Sequence, residues 1–121
     1  MQQLTMVFEG DTSPPKKQRR LPVYANPDIE YIGTPVEVTP ERCERVGFGK
    51  GSVGLRGVVV ALADGTPKTE WCVKLRLDET SYVRQLESEK KYTTESWRRD
   101  NGVDENRELW ICAGLLERMQ L

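Results

Sequence analysis

The chain contains no histidine, so the side chain that most often serves as a general base near neutral pH, and most often ligates a metal, is missing. Its three cysteines, Cys43, Cys72 and Cys112, are odd in number and far apart, which gives neither a disulfide framework nor a paired zinc motif. No apolar run approaches the roughly twenty residues needed to span a bilayer, and the amino terminus is polar where a secretory signal would be basic and then greasy. A cytoplasmic protein without membrane contact is expected. Eighteen basic residues against nineteen acidic ones leave a net charge of -1, which denies the chain the strong positive field of a protein that coats nucleic acid. Any contact with DNA or RNA must be local. At 121 residues the chain has room for one domain and a tail, not for a cleft between two domains.

Catalysis finds little to build on. Asp64, Asp78, Glu79, Asp100 and Asp104 all fall in polar turns, where acids solvate loops, and no motif supplies a base to activate a cysteine. The expectation is no enzyme, no cofactor and no metal.

What the chain does have is a series of short apolar segments. Val36-Glu37-Val38, Gly57 to Leu62, Glu70 to Leu77, Glu108 to Cys112 and Leu115 to Met119 each read as a strand bounded by turn signals. None is joined to the next by a crossover that would pair strands in parallel, so the strands are expected to be antiparallel. Trp71, Val73, Leu75 and Leu77 alternate with Cys72, Lys74 and Arg76, the pattern of a half-buried strand with Trp71 on the core side. Trp110 is read as core for the same reason. Asp64-Gly65 is a pair that accepts positive φ, and it predicts a hairpin between the second and third strands.

Two stretches stand outside this pattern. Residues 1–33 hold four prolines and the basic cluster Lys16, Lys17, Arg19 and Arg20 without periodicity, and read as an extended or disordered arm; residues 34–121 form the domain. After Leu77 comes a polar excursion of about thirty residues, too long for a structureless loop. It is read as a long, partly structured loop between the third and last strands. Tyr82, Val83 and Leu86 could give a turn or two of helix with Glu87, Glu89 and Lys90 outward, and Asp100-Asn101-Gly102 a tight turn.

Gly49-Lys50-Gly51-Ser52-Val53-Gly54 satisfies the letters of a dinucleotide fingerprint, but that motif needs a strand before it and a helix after it. Here a strand follows, and the spacing of a P-loop fails as well, so these glycines are assigned to a turned connection. The Val-x-Val strand, the glycine loop, Gly-x-Val-Val, the hairpin into Trp-x-Val-x-Leu, and Leu-Trp followed by Leu-Leu together resemble the SH3-like small barrels, including their KOW and Tudor-type members. The resemblance covers residues 35 to 119 and implies an all-β fold, a small antiparallel SH3-like barrel. Members of that class bind peptides, modified side chains, nucleic acids or protein surfaces, so the fold does not choose the ligand. Gly47-Phe48-Gly49-Lys50-Gly51 replaces the acidic, tyrosine-rich loop of the proline-peptide binders, which argues against that ligand.

Two features could carry binding. Gln3, Leu4, Met6 and Phe8 resemble the short peptide by which bacterial replication and repair proteins dock on the sliding clamp; the glutamine would bond at the rim and the apolar side chains would fill subsites. The same alternation also fits an extra strand on the barrel. The second feature is positive charge among aromatics: Lys16, Lys17, Arg19 and Arg20 of the arm, with Lys50, Arg56, Lys74, Arg76, Arg98 and Arg99 of the domain, are the candidate contacts to a nucleic-acid backbone. Interspersed acids equally fit a solvated face. Trp97, beside two arginines in a polar stretch, and Phe48 are the candidate anchors for a protein partner. The sequence therefore predicts an adaptor in a nucleic-acid transaction, or else a pure protein-interaction module within a larger assembly.

Overall fold

In the computed structural model of the chain, which describes residues 22–120, all five strand candidates pair into one antiparallel sheet. They are β1 (Pro35–Val38), β2 (Arg56–Leu62), β3 (Cys72–Leu77), β4 (Glu108–Cys112) and β5 (Leu116–Arg118), in the order β4-β3-β2-β1-β5. The chain thus meanders through four strands, makes a short 3-10 turn at Ala113–Leu115, and returns so that β5 lies against β1. Val36, Val38, Val59, Val73, Leu75, Leu77, Leu109 and Ile111 are buried and share one face with Leu55, Leu115 and Leu116. Period-two alternation puts them there. The register of β2 on β3 shifts between Val59 and Ala61, so Val60 is the extra residue of a β-bulge, which bends the strand. The expected hairpin is present, and Gly65 takes positive φ in its turn.

The fold is mostly β, not all β. Among the described residues three helices, α1 (Pro40–Val46), α2 (Glu79–Tyr92) and α3 (Glu95–Asn101), fill the connections. Each begins at a side-chain cap: Thr39 accepts from the Arg42 amide, Asp78 from Ser81 and Thr94 from Trp97. Proline at the first position of α1 and glycine in left-handed conformation just past its end complete an ordinary helix signature. The stretch read as a loop between β3 and β4 is therefore a helical pair, and Asp100 and Asn101 end α3 instead of forming a tight turn. The Ser81 hydroxyl accepts from the Arg56 amide and ties the start of α2 to β2. Gly49 and Gly54 take positive φ around a 3-10 turn that leads into β2, the role expected of that glycine loop.

Residues 26–33, read as part of the arm, close one end of the core. Ile29 is fully buried, the Asn26 amide donates to the Leu116 carbonyl at 2.8 Å, and the Gly33 amide donates to the Val59 carbonyl at 2.8 Å. Packing thus begins before residue 34. Replacing Ile29 with alanine is expected to cost about 2–5 kcal/mol in urea denaturation, the range of a core truncation, where a solvated arm position would stay within about 0.5 kcal/mol.

Candidate interaction groove

The side chains that face away from the core on β3 and β4 meet in register. Cys72 opposes Cys112, Lys74 opposes Trp110, and Arg76 opposes Glu108. The Lys74 ammonium lies 5.9 Å from the Trp110 ring centre and 3.7 Å from a Glu108 oxygen. Arg76 reaches the other Glu108 oxygen with Nη2 at 2.6 Å and Nε at 3.1 Å. One carboxylate thus serves two cations, while the indole offers its face to one of them.

Helix α3 forms the opposite wall. Its position depends on Glu89 of α2, a carboxylate only 3% exposed, which accepts from the Val103 amide at 3.0 Å and from the Gln85 amide group at 2.7 Å. A buried carboxylate must be hydrogen-bonded, and here those bonds fasten the exit from α3 to α2. The contact explains Gly102: a Cβ there would stand 2.6 Å from a Glu89 oxygen and 2.7 Å from the Arg98 carbonyl. Arg98 donates from Nη1 to the Thr93 carbonyl at 2.8 Å and to the Glu89 carbonyl at 3.2 Å, closing the corner between the two helices. Lys68, in the turn after β2, donates to the Asp100 carbonyl at 2.6 Å across the mouth. The resulting groove has a volume of about 430 Å³ and is walled by Trp97, Arg99, Trp110 and Lys74, with Asp100, Asp104 and Glu108 among its acids.

The expected site residues separate accordingly. Trp97, 43% exposed, stands in the groove with Arg99 and Lys74. Arg98, expected at a phosphate, is spent on helix carbonyls. Arg56 faces Glu37 at 3.6 Å, and Arg76 is held by Glu108, so neither is an unopposed cation. Lys50 lies in the 3-10 turn after α1, and Phe48 sits with its ring centre 6.4 Å from that of Tyr24, outside the groove. Gln3, Leu4, Met6, Phe8, Lys16, Lys17, Arg19 and Arg20 lie outside the described residues.

Both tryptophans expected in the core differ from expectation. Trp110 is partly exposed on the groove floor. Trp71 precedes β3 with φ +63°, and that left-handed turn takes its side chain out of the alternation; it is 41% exposed and lines a second pocket of about 380 Å³ with Leu62, Ala25 and Ala113. The cysteines divide as well. Cys43 is buried, as a small hydrophobe would be, whereas Cys72 and Cys112 are only partly covered. Burial raises the Cys72 thiol above its ordinary range, with the neighbouring Cys112 adding to the rise. Burial likewise raises Cys112, partly offset by the Gly114 and Leu115 amides.

Among the described residues no group of three or more histidine, cysteine, aspartate or glutamate side chains is placed to hold a metal ion, and no helix is long and apolar enough to cross a membrane. No family model, no curated protein and no solved structure matches the chain.

Arg98→Ala removes the helix-corner bonds and takes the Arg98 donor from the Thr93 carbonyl, while the Glu89 carbonyl keeps the Thr93 amide, an expected loss of about 1–3 kcal/mol in urea denaturation; Arg99→Ala, one residue on, is expected to change stability by less than about 0.5 kcal/mol. Because both raised thiols hold less thiolate at neutral pH than a free cysteine does, Cys72 and Cys112 are expected to alkylate more slowly than glutathione at pH 7. The gap should narrow as pH rises past the ordinary thiol range, which a stopped alkylation series read by peptide mass will show.

Proposed function

We propose that the chain is a non-enzymatic binding module that takes an extended segment of a protein partner along the groove between α3 and the outward face of β3 and β4. The observation that carries this reading is the meeting of two partly exposed indoles, Trp97 and Trp110, in one groove whose three cations, Lys68, Lys74 and Arg99, are balanced by Asp100, Asp104 and Glu108, with Lys74 paired directly to Glu108. Exposed tryptophan in a concave setting is the usual anchor of a protein interface. A polyanion would want the reverse, unopposed cations on a field that the flanking acids do not cancel. An extended ligand is favoured because β4 ends the sheet, and the register directs the Trp110 backbone groups away from β3, where an added strand could meet them.

The same proposal includes the finer fold. The return of β5 onto β1 through a 3-10 turn, with the bulge at Val60 bending β2, supports an SH3-like barrel. It also includes a tether: Gln3, Leu4, Met6 and Phe8 dock on a protein partner, with a bacterial sliding clamp as the candidate that their pattern resembles.

A second reading, contact with single-stranded nucleic acid, draws on Lys68, Lys74 and Arg99 beside the same two indoles, a combination that stacks bases and tracks phosphates. Fluorescence anisotropy with a labelled single-stranded oligonucleotide separates the two. The module reading expects no groove-dependent binding at low salt. Binding that falls steeply with salt and is lost in a Lys74→Glu, Arg99→Glu variant would reverse the order of the readings. In capture experiments, Trp97→Ala is expected to lose at least about tenfold in partner affinity, in keeping with the loss of an aromatic anchor, at unchanged stability.

A further inference from the structure

Cys72 and Cys112, distant in sequence, are direct cross-strand partners. The ladder identifies the kind of position they occupy. The Ala113 amide donates to the Trp71 carbonyl at 2.9 Å, and the Leu77 amide donates to the Arg107 carbonyl at 2.8 Å. These bonds mark 71 with 113 and 77 with 107 as hydrogen-bonded pairs, so by alternation 72 with 112 is a non-hydrogen-bonded pair. Such pairs have the closer backbones, with Cα atoms about 4.5 Å apart and side chains on the same side. A disulfide accepts Cα separations of about 4.4–6.8 Å, so this position lies at the short, strained end of what the bond tolerates. Both thiols are free and partly covered, and Cys72 borders the groove and the second pocket alike. Cys43 is buried, with its Sγ 3.3 Å from the Gly49 carbonyl, and does not compete.

We propose that Cys72 and Cys112 are a redox modification site, which closes into a reversible cross-strand disulfide on reaction with a low-molecular-weight disulfide of the glutathione class. The Cys72 thiolate attacks one sulfur of the reagent and forms a mixed disulfide, releasing one equivalent of reduced thiol. The Cys112 thiolate then attacks the Cys72 sulfur and releases the second equivalent. Two protein thiols lose two electrons and two protons, and one molecule of reagent disulfide becomes two thiols. The mixed disulfide is short-lived because its resolving thiol stands directly opposite on the next strand. Strain from the close backbones makes the bond easier to reduce than a structural disulfide, so excess reduced thiol reopens it. The bond would pin the edge strand β4 to β3 at the end that carries the groove. This chemistry stands whatever occupies the groove.

The test is a titration of the full chain in glutathione redox buffers, quenched in acid, alkylated and read by intact mass and by non-reducing peptide mapping. The expected product weighs two hydrogen atoms less than the reduced chain, retains a single alkylatable thiol at Cys43, yields a cross-linked peptide pair containing Cys72 and Cys112, and reverts with excess reduced glutathione. Cys43→Ser is expected to leave this product unchanged, and Cys72→Ser or Cys112→Ser to abolish it and accumulate a glutathione adduct on the remaining partner. The peptide map of the unsubstituted chain decides the matter even if a variant does not fold. A stable glutathione adduct as the final product of that chain, a bond involving Cys43, cross-linked dimers, or no reaction would each overturn the proposal.

Discussion

The register of β3 against β4 is the constraint on which the rest depends. Side chains on a strand alternate with period two, so one choice of register sends Val73, Leu75, Leu109 and Ile111 into the core and places Cys72, Lys74 and Arg76 opposite Cys112, Trp110 and Glu108 outside it. A slip of one residue would exchange the two sets. It would bury two cations without partners, a cost of several kcal/mol per ion, and expose the hydrophobic set, so the core itself enforces the arrangement of the groove floor. Stability and site are two faces of the same pairing.

The helical pair between β3 and β4 supplies what the sheet lacks. A flat, solvated face does not hold a ligand; a wall that carries Trp97 turns it into a groove. That wall is fixed by a small polar network centred on Glu89, Val103 and Arg98, in which every named group has a partner. Such networks are stringent, because removal of one partner leaves a buried group unsatisfied. Arg98 therefore serves the fold before it serves a ligand, and the same is true of Arg76 and Arg56 in their ion pairs, whereas Arg99 is left to the groove.

The strands were legible in the sequence because alternation and turn glycines are local signals that the core does not contradict. Every strand candidate and the hairpin at Asp64-Gly65 reappear, Glu108–Cys112 with the same bounds and the others within two residues at each end. The helices were less legible. Thr39-Pro40, Asp78 and Thr94 were capping signals on view, but α2 carries few apolar residues, and its inward position is taken by Glu89, whose charge reads as outward although its spacing from Tyr82 and Leu86 puts it on their face. Trp71 misled for a different reason: a residue with positive φ just before a strand leaves the alternation that its neighbours continue. Of the groove, Trp97, Arg99 and Lys74 were legible as chemistry, whereas their meeting with Trp110 was not. The cysteine pair was invisible for the same reason, since proximity across a ladder is set by register and not by spacing along the chain.

The most direct measurement is therefore of the register itself, by nuclear Overhauser contacts between α protons in solution. Non-hydrogen-bonded pairs of an antiparallel ladder bring their backbones closest. Strong contacts are expected between the α protons of Cys72 and Cys112, of Lys74 and Trp110, and of Arg76 and Glu108, with none of comparable strength between Val73 and Ile111. Contacts displaced by one residue along β4, or absent altogether, would contradict the arrangement from which the core, the groove and the paired thiols all follow.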